Sequence, residues 1–246
     1  MKARPFLCAA AVILLLPDAC RRTTSAPGTQ HDSLNKIMPL GASRVAGNRP
    51  EYESFRYELW ERLVTHGWDV DFIGTRSDGT EYPHETGTRF DGDHQGMRGW
   101  TSDQILDELG GWLEATGAPD IVLFSSPGGN DALEGMPFDD AVANVNAIID
   151  LIQKANPNVT ILIEQMAPGA TDVMTGDLAR FFDRMHQEVS MIASEQTDGS
   201  SRVIAVDMFT GFTDDLLADD VHYNEAGAAF IADRYYAVLE GVLETE

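Results

Sequence analysis

The sequence predicts an α/β protein: a three-layer α/β/α sandwich with a five-stranded, mostly parallel sheet. Two observations support this prediction. Apolar, strand-like runs alternate with helical patterns along the chain, and three of these runs, "IVLFSS", "VTILIEQ" and "VIAVD", are continuously apolar or β-branched. Continuous runs of this kind are typical of strands covered by helices on both faces. Regular alternation of strands and helices favours parallel pairing in a single sheet.

The five predicted strands follow from short apolar runs that end in small or polar residues. The first run, "KIMPL", ends abruptly at a glycine, and the last ends at an aspartate. We therefore predict strands over residues 36–40, 70–74, 120–126, 159–165 and 202–207.

Helices are predicted between these strands because apolar residues recur there at intervals of three and four. Thr101 and Gln104 have the spacing of a capping box at the start of one helix, and Asn224 is a suitable N-cap for the last. The last helix carries Ala228, Ile231, Ala232 and Tyr235 on its apolar face. The apolar faces of three further predicted helices are Tyr52, Phe55, Leu59 and Leu63; Val142, Val145, Ile149 and Ile152; and Phe181, Met185, Val189 and Ile192.

The N-terminus has the pattern of a targeting segment. Lys2 and Arg4 precede an apolar stretch, residues 6–16, that is too short to span a bilayer but suits a secretory signal. The following "LLPDAC" resembles a bacterial lipoprotein processing site, in which Cys20 would carry the lipid. We predict a signal segment over residues 1–20, a disordered tether over 21–34, and one domain over 35–246. The expected location is secreted or periplasmic. A lipoprotein is the alternative, and a lipid anchor at Cys20 would then be the contact with a membrane.

Composition excludes several functions. The chain has 17 basic and 40 acidic residues, a formal net charge of −23. Such a surface repels nucleic acid and anionic membranes and suits neutral or cationic small molecules. Both cysteines, Cys8 and Cys20, lie in the N-terminal segment. The predicted domain therefore has no disulfide, thiol nucleophile or cysteine metal site.

Chemically useful residues follow the predicted strands. In sheets of this type, ligands bind beyond the carboxyl ends of the strands. Ser43 follows the first strand on a glycine turn, Asn130 lies in "SSPGGNDALEG" after the third, and His222 lies in "ADDVHYN" after the fifth. We therefore expect these three side chains at the same edge of the sheet.

His222 has the sequence environment of a general base. Asp219 lies three residues upstream, so a turn can place its carboxylate on the imidazole Nδ1–H and leave Nε2 free. A serine hydroxyl such as that of Ser43 is a weak nucleophile until a base removes its proton. The alternatives are a histidine that only caps the last helix, and Asp220 in place of Asp219.

Two further segments are candidates for stabilising an oxyanion. Asn130 follows two glycines, and Gly99 immediately precedes the capped helix, so an amide side chain and a backbone N–H are available as donors. Trp100 is a candidate wall for an apolar or sugar-like group. The structural alternatives are a Gly-Gly-Asn turn bonded to itself and an aromatic ring that plugs the end of the sheet.

The order of these segments resembles the SGNH (GDSL-type) hydrolases, which are named for a Ser, Gly, Asn and His from four sequence blocks. The corresponding blocks here are "IMPLGAS", "GMRGW", "GGND" and "DDVH", and the resemblance extends from about Lys36 to Leu239. "FIGT" and "GWTSDQIL" further resemble the branch that contains the family 3 carbohydrate esterases, many of which are acetylxylan esterases.

The resemblance implies an SGNH/flavodoxin-like sandwich with Ser43 as nucleophile, His222 as base and Asp219 as its orienting carboxylate. The backbone N–H groups of Ser43 and Gly99 and the side chain of Asn130 would form the oxyanion hole. It implies no metal and no cofactor. The expected function is a secreted serine esterase that acts on short acyl esters, with acetylated carbohydrates as the leading substrate. An arylesterase or thioesterase with a non-carbohydrate substrate is the alternative.

The chain departs from the family pattern at two positions. Ala42 stands where the family usually has Asp, and Arg44 or Asn48 would have to brace the nucleophile loop instead. Tyr223 stands where proline often follows the histidine, which changes the expected rim of the pocket. A second hypothesis is therefore a catalytically degenerate, glycan-binding module of the same fold.

His94 and Tyr223 are, with Trp100, the remaining candidates for contact with substrate. A third hypothesis, metal-dependent hydrolysis, would use His84, His94 and the carboxylates of "DGDH". Their spacing matches no ligand pattern of a known metal site, so we expect these histidines to line a loop.

Overall fold

The computed structural model describes residues 35–78, 82 and 87–245. The predicted signal segment and tether lie outside this range, as does His84. Within the described residues, seven strands form one sheet. They are β1 (Lys36–Gly41), β2 (Asp71–Phe72), β3 (Arg76–Ser77), β4 (Asp93–Gly96), β5 (Ile121–Phe124), β6 (Thr160–Gln165) and β7 (Arg202–Asp207).

The sheet is mostly parallel. Its strand order is β3-β4-β1-β5-β6-β7, and β2 also pairs with β1. The described pairs are parallel except for the short antiparallel pair of β3 with β4. With helices on both faces, this arrangement confirms the predicted α/β sandwich.

The sheet has two strands more than predicted, and the difference lies along one edge of β1. The first residues of β1 pair with β2, where Ile37 lies opposite Phe72, and its last residues pair with β4, where Gly41 lies opposite Gly96. The strand predicted over 70–74 is therefore shorter. Since "DHQG" in β4 contains no apolar residue, its pairing has no signal in the sequence. The other four predicted strands agree with the observed bounds to within two residues.

Five long helices and two short ones connect the strands among the described residues. The short helices, α1 and α4, directly follow β1 and β5 and have no amphipathic pattern. The helices are α1 (Ser43–Ala46), α2 (Phe55–Thr65), α3 (Ser102–Thr116), α4 (Gly129–Leu133), α5 (Phe138–Ala155), α6 (Gly176–Glu195) and α7 (Glu225–Leu239). A 3₁₀ turn spans Asp214–Leu216. None of these described helices is long and apolar enough to cross a membrane.

The helix caps confirm two predictions and correct one. The capping box at Thr101 and Gln104 is present, and the Asn224 side chain accepts a 3.0 Å hydrogen bond from the Gly227 N–H. The helix predicted from Tyr52 onwards begins only at Phe55. Ser54 is its N-cap, which leaves Tyr52 in the preceding loop, free for another role.

Two apolar cores lie on opposite faces of the sheet, as the continuous apolar strands predict. Along β1, Ile37 faces the core formed with α2 and α7, whereas Met38 faces the core formed with α3, α5 and α6. Val122 and Leu123 alternate between the two cores in the same way. Burial on both faces makes the sheet a rigid base for the loops that follow its carboxyl ends.

We predict that Gly96→Ala lowers the free energy of unfolding by about 1–3 kcal/mol through overpacking. A Cβ at Gly96 would lie 2.5 Å from the Ala46 backbone nitrogen, and backbone cannot rotate away. The matched control is Gly110→Ala in α3, where a Cβ meets no atom within 4 Å. This control is expected to stabilise by about 0.5–1 kcal/mol through helix propensity. Urea unfolding of both variants measures the difference, and a Gly96→Ala protein as stable as wild type would contradict the packing argument.

Candidate active site

The first strand ends in a turn that requires glycine. A Cβ at Gly41 would lie 2.8 Å from the carbonyl oxygen of Ser125, because the ends of β1 and β5 are adjacent. The chain turns through Ala42, and Ser43 then begins α1. Ser43 is half-buried, so its hydroxyl stands at the carboxyl edge of the sheet, where the sequence predicts it.

Ser43, His222 and Asp219 form a continuous hydrogen-bonded chain. The Ser43 Oγ lies 2.9 Å from His222 Nε2, although the two residues are 179 positions apart in sequence. On the other side of the ring, His222 Nδ1 lies 2.7 Å from Asp219 Oδ2. A carboxylate at Nδ1 holds the proton on that nitrogen and leaves Nε2 as a proton acceptor. This geometry can activate a serine hydroxyl.

Asp219 is held in its ionised form by the turn that carries it. Its Oδ1 accepts hydrogen bonds from the backbone N–H groups of Val221, at 2.9 Å, and His222, at 2.7 Å. Burial alone would raise the pKa of Asp219, but these hydrogen bonds and the imidazole outweigh it and lower that pKa. The neighbouring Asp220 is exposed, and its carboxylate makes no hydrogen bond to His222.

The imidazole of His222 is also held by the ring of Tyr52, a residue whose spacing in the sequence predicts a position on a helix. The ring of Tyr52 stacks on His222 with 3.8 Å between ring centroids and 11° between planes. The loop that carries Tyr52 is joined to the His222 loop, since the Glu53 N–H donates a 2.8 Å hydrogen bond to the Tyr223 carbonyl. No local pattern identifies this contact, because it depends on the meeting of two distant loops.

The candidate oxyanion donors come from two loops beside Ser43. Gly99 adopts φ +77° in a turn closed by the 3.1 Å hydrogen bond from the Trp100 N–H to the Met97 carbonyl. The Met97 N–H in turn donates to the Gly41 carbonyl at 3.0 Å, which ties this turn to the end of β1. The Asn130 side chain donates one N–H to the Trp100 carbonyl at 2.7 Å. This bond fixes the amide, whose second N–H is available as a donor.

Arg44 joins the loop of Ser43 to the loop of His222. Its buried guanidinium donates to the carbonyls of Val221 at 2.8 Å, Ala167 at 2.7 Å and Pro168 at 3.1 Å, and lies 4.8 Å above the ring of Tyr223. Val221 directly precedes His222. Of the two candidates that the sequence offers for bracing this loop, Arg44 and Asn48, Arg44 therefore provides the brace.

An apolar pocket opens beside Ser43, with Trp100 and Asn130 at its mouth. Its free volume is about 50 Å³. Trp100 stacks on Trp112, so one wall of the mouth is fixed by aromatic packing. The deeper walls are side chains of β5, of the segment after β6 and of α6: Phe124, Met166, Met174, Leu178 and Phe182.

Neither Tyr223 nor His94 lines the apolar pocket, although His94 lines a second, polar cleft. Tyr223 is fully buried in the core on the α2 and α7 side, so it does not form the rim of the pocket. His94 is buried in β4 rather than in a loop, and its Nδ1 accepts a 2.9 Å hydrogen bond from the Gly96 N–H. Burial lowers the pKa of His94 despite the carboxylate of Asp78 at 3.7 Å. In the described part of the chain, no group of three or more His, Cys, Asp or Glu residues is arranged to hold a metal ion.

Comparison with known proteins gives the family. Residues 64–230 match the GDSL-like lipase/acylhydrolase family, and the chain belongs to that family. This confirms the resemblance inferred from the four sequence blocks. The matched region begins after Ser43, so the role of Ser43 rests on the position of its hydroxyl beside His222. No curated protein matches the chain by sequence.

Similar solved structures are family 3 carbohydrate esterases. One from Talaromyces cellulolyticus is 27% identical and superposes with a TM-score of 0.72, covering 85% of this chain and 97% of that one. One from Clostridium thermocellum is 26% identical, with a TM-score of 0.68 and coverage of 85% and 99%. An acetyl esterase mutant with acetate ion is 27% identical, with a TM-score of 0.71 and coverage of 85% and 97%. The protein is a carboxylic ester hydrolase.

Asp219→Asn is expected to lower kcat by about 10²–10⁴, because an amide at Nδ1 no longer selects the productive tautomer. Asp220→Asn is the matched control and should change kcat less than about twofold, since it removes an exposed charge without touching the imidazole. Initial rates on p-nitrophenyl acetate measure both effects. A large loss in Asp220→Asn with little loss in Asp219→Asn would reverse the assignment.

Arg44→Lys is expected to lower kcat about tenfold with little change in KM, because one ammonium group cannot reach three carbonyls and the two loops lose their alignment. Arg234→Lys is the matched control, since Arg234 also donates to backbone carbonyls but lies away from the triad. Steady-state kinetics of the two variants test the bracing role. Equal kcat values in Arg44→Lys and wild type would refute it.

Proposed function

We propose that the protein is a serine esterase that removes short acyl groups, chiefly acetyl, from carbohydrate esters through an acyl-enzyme. The observation that carries this proposal is the 2.9 Å contact between Ser43 Oγ and His222 Nε2, with Asp219 on the opposite ring nitrogen. The N-terminal pattern with Lys2 and Arg4 supports export of the enzyme, which would bring it to extracellular or periplasmic carbohydrate.

The reaction proceeds in two halves. Ser43 Oγ attacks the ester carbonyl carbon while His222 Nε2 takes the hydroxyl proton, and the resulting oxyanion accepts hydrogen bonds from the Ser43 and Gly99 backbone N–H groups and the free Asn130 amide N–H. The tetrahedral intermediate expels the alcohol, which receives the proton from His222. Water then gives its proton to His222 and attacks the acyl carbon, which releases the carboxylic acid and regenerates Ser43. Asp219 stays ionised throughout and stabilises the imidazolium.

The pocket beside Ser43 supports a short acyl group. Its free volume is about 50 Å³. Because about 10–15 Å³ of this kind of space holds one water-sized group, the pocket takes only a few heavy atoms. Its mostly apolar walls suit a methyl group. An acetyl group fits this description, whereas a long acyl chain requires the walls to move.

The carbohydrate part of the proposal rests on the relatives and on Trp100. Two of the similar structures are family 3 carbohydrate esterases, and a third is an acetyl esterase with acetate ion. Trp100 is half-buried at the mouth of the pocket and presents an aromatic surface of the kind that packs against apolar faces. An arylesterase or thioesterase would use the same triad, and substrate choice separates these alternatives.

The test is the hydrolysis of p-nitrophenyl acetate, butyrate and octanoate, and of acetylated xylan, without added metal. We expect rates that fall with chain length, and Ser43→Ala should lower kcat by at least about 10⁴ because it removes the nucleophile. The matched control, Ser126→Ala, changes the hydroxyl at the end of the neighbouring strand and should retain at least about a tenth of the activity. Turnover by Ser43→Ala equal to wild type would refute the proposed nucleophile, and faster hydrolysis of octanoate would refute the short acyl pocket. Aryl acetate turnover without acetate release from xylan would favour an arylesterase.

A further inference from the structure

A second, polar cleft shares Trp100 with the apolar pocket. Its volume is about 530 Å³, and Trp100 borders both spaces. Arg76 and Arg98 line it, and Thr75 and Ser77 contribute hydroxyl groups. The cleft is therefore larger and more polar than the acyl pocket, and one aromatic side chain lines both.

The cleft is close to the nucleophile because it lies against the same short helix. Ala46, the last residue of α1, and Gly96 form part of its lining, and α1 begins at Ser43. A Cβ on Gly96 would clash with Ala46, so β4 and α1 are in direct contact. A substrate with its acyl group in the apolar pocket can therefore extend its alcohol portion past Trp100 into the cleft.

The two arginines of the cleft have no carboxylate partner among the described residues. Six other arginines, by contrast, form ion pairs with acidic side chains. Arg98 uses its Nε to donate a 2.8 Å hydrogen bond to the Gly47 carbonyl, which positions the guanidinium and leaves its terminal nitrogens free. Arg76 is exposed in β3. The chain has a net charge of −23, so two cations in one cleft without a carboxylate partner in the described part of the chain are unusual.

The negative charge of Asp78, which also lines the cleft, is already balanced by a neighbouring cation. Asp78 forms an ion pair with the fully buried Arg56 and lies 3.7 Å from His94. Burial by itself would raise the pKa of Asp78, but His94 and Arg56 outweigh it and lower that pKa to about 2. The carboxylate is therefore ionised, and its charge is balanced by Arg56. Arg76 and Arg98 remain as the uncompensated charges of the described lining.

We propose that this cleft binds the alcohol part of the substrate and selects an acetylated sugar that carries an anionic group. The proposal rests on the proposed function and adds the substrate class. Guanidinium groups recognise carboxylate and sulfate oxygens through paired hydrogen bonds. The Ser77 hydroxyl provides a contact for sugar hydroxyls, and the Thr75 hydroxyl, which donates a 2.9 Å hydrogen bond to Gln95 Oε1, can accept one from the sugar. Trp100 provides an apolar wall. In a protein whose overall field repels anions, such a cleft gives selective local attraction.

The test compares matched monoacetylated methyl glycosides: a neutral xyloside, a glucuronoside and a sulfated glucoside. We expect wild-type kcat/KM to be about tenfold or more higher for an anionic sugar than for the xyloside at low salt, the effect of one or two charge-assisted hydrogen bonds. The glucuronoside and the sulfated sugar distinguish the two anionic groups. High ionic strength should reduce this ratio, because the two arginines are exposed and screened by salt.

The variants Arg76→Gln and Arg98→Gln should each lower the ratio of anionic to neutral kcat/KM about fivefold or more, since each removes one charged donor. Arg202→Gln is the matched control: it makes the same charge change at the start of β7, the opposite end of the strand from the site, and should leave the ratio unchanged. Equal ratios in wild type and both cleft variants would refute the proposal, as would an equal reduction in Arg202→Gln.

Sugar binding to a protein without the proposed nucleophile tests the cleft independently of catalysis. The Ser43→Ala protein should bind methyl glucuronide or the sulfated methyl glucoside more tightly than methyl xyloside by calorimetry, and Arg98→Gln in that background should remove the difference. Failure to hydrolyse any ester would count against the proposed function. The preference for binding anionic sugars is measured independently of hydrolysis. Equal affinity for the neutral and the two anionic sugars would overturn the cleft assignment.

Discussion

The site depends on one buried guanidinium. Arg44 follows Ser43 directly. Its hydrogen bonds reach the carbonyl of Val221, which precedes His222, and the carbonyls of Ala167 and Pro168. A serine and a histidine on separate loops act together only if their separation is fixed, because proton transfer needs hydrogen-bond distance. The family usually places an aspartate at the position of Ala42. In this chain a longer, cationic side chain two positions later links the loops.

An apolar pocket and a polar cleft lie near Ser43. Ser43 opens onto a small pocket walled by Phe124 and Phe182, and Trp100 lines both this pocket and a larger cleft that contains Arg76 and Arg98. An ester has an apolar acyl end and a polar alcohol end, so this division matches the two ends of one substrate. The carboxyl edge of a parallel sheet allows the arrangement, since each loop comes from a different strand.

The candidate catalytic residues can be located from the sequence, but the residues that hold them in place cannot. Ser43, Asn130 and His222 follow strands with clear apolar patterns, so their position at one edge could be predicted. Tyr52 was assigned to a helix because its spacing fits an apolar face, yet the Ser54 cap starts that helix later. Tyr223 was expected at the pocket rim, but the turn that aims His222 at Ser43 directs the next side chain into the core.

The sequence by itself determined the fold class, the positions of the four family blocks along the chain, and the local turn that joins Asp219 to His222. These features depend on apolar periodicity and on contacts between residues close in sequence. Only the tertiary structure decided that one edge of β1 pairs with both β2 and β4, that Tyr52 stacks on the imidazole, and that Arg44 donates to backbone carbonyls of two other loops. The polar segment of β4 joins the sheet because its neighbour has unpaired backbone groups, and no property of "DHQG" records that neighbour. Contacts between distant loops are determined by the packing of the whole domain.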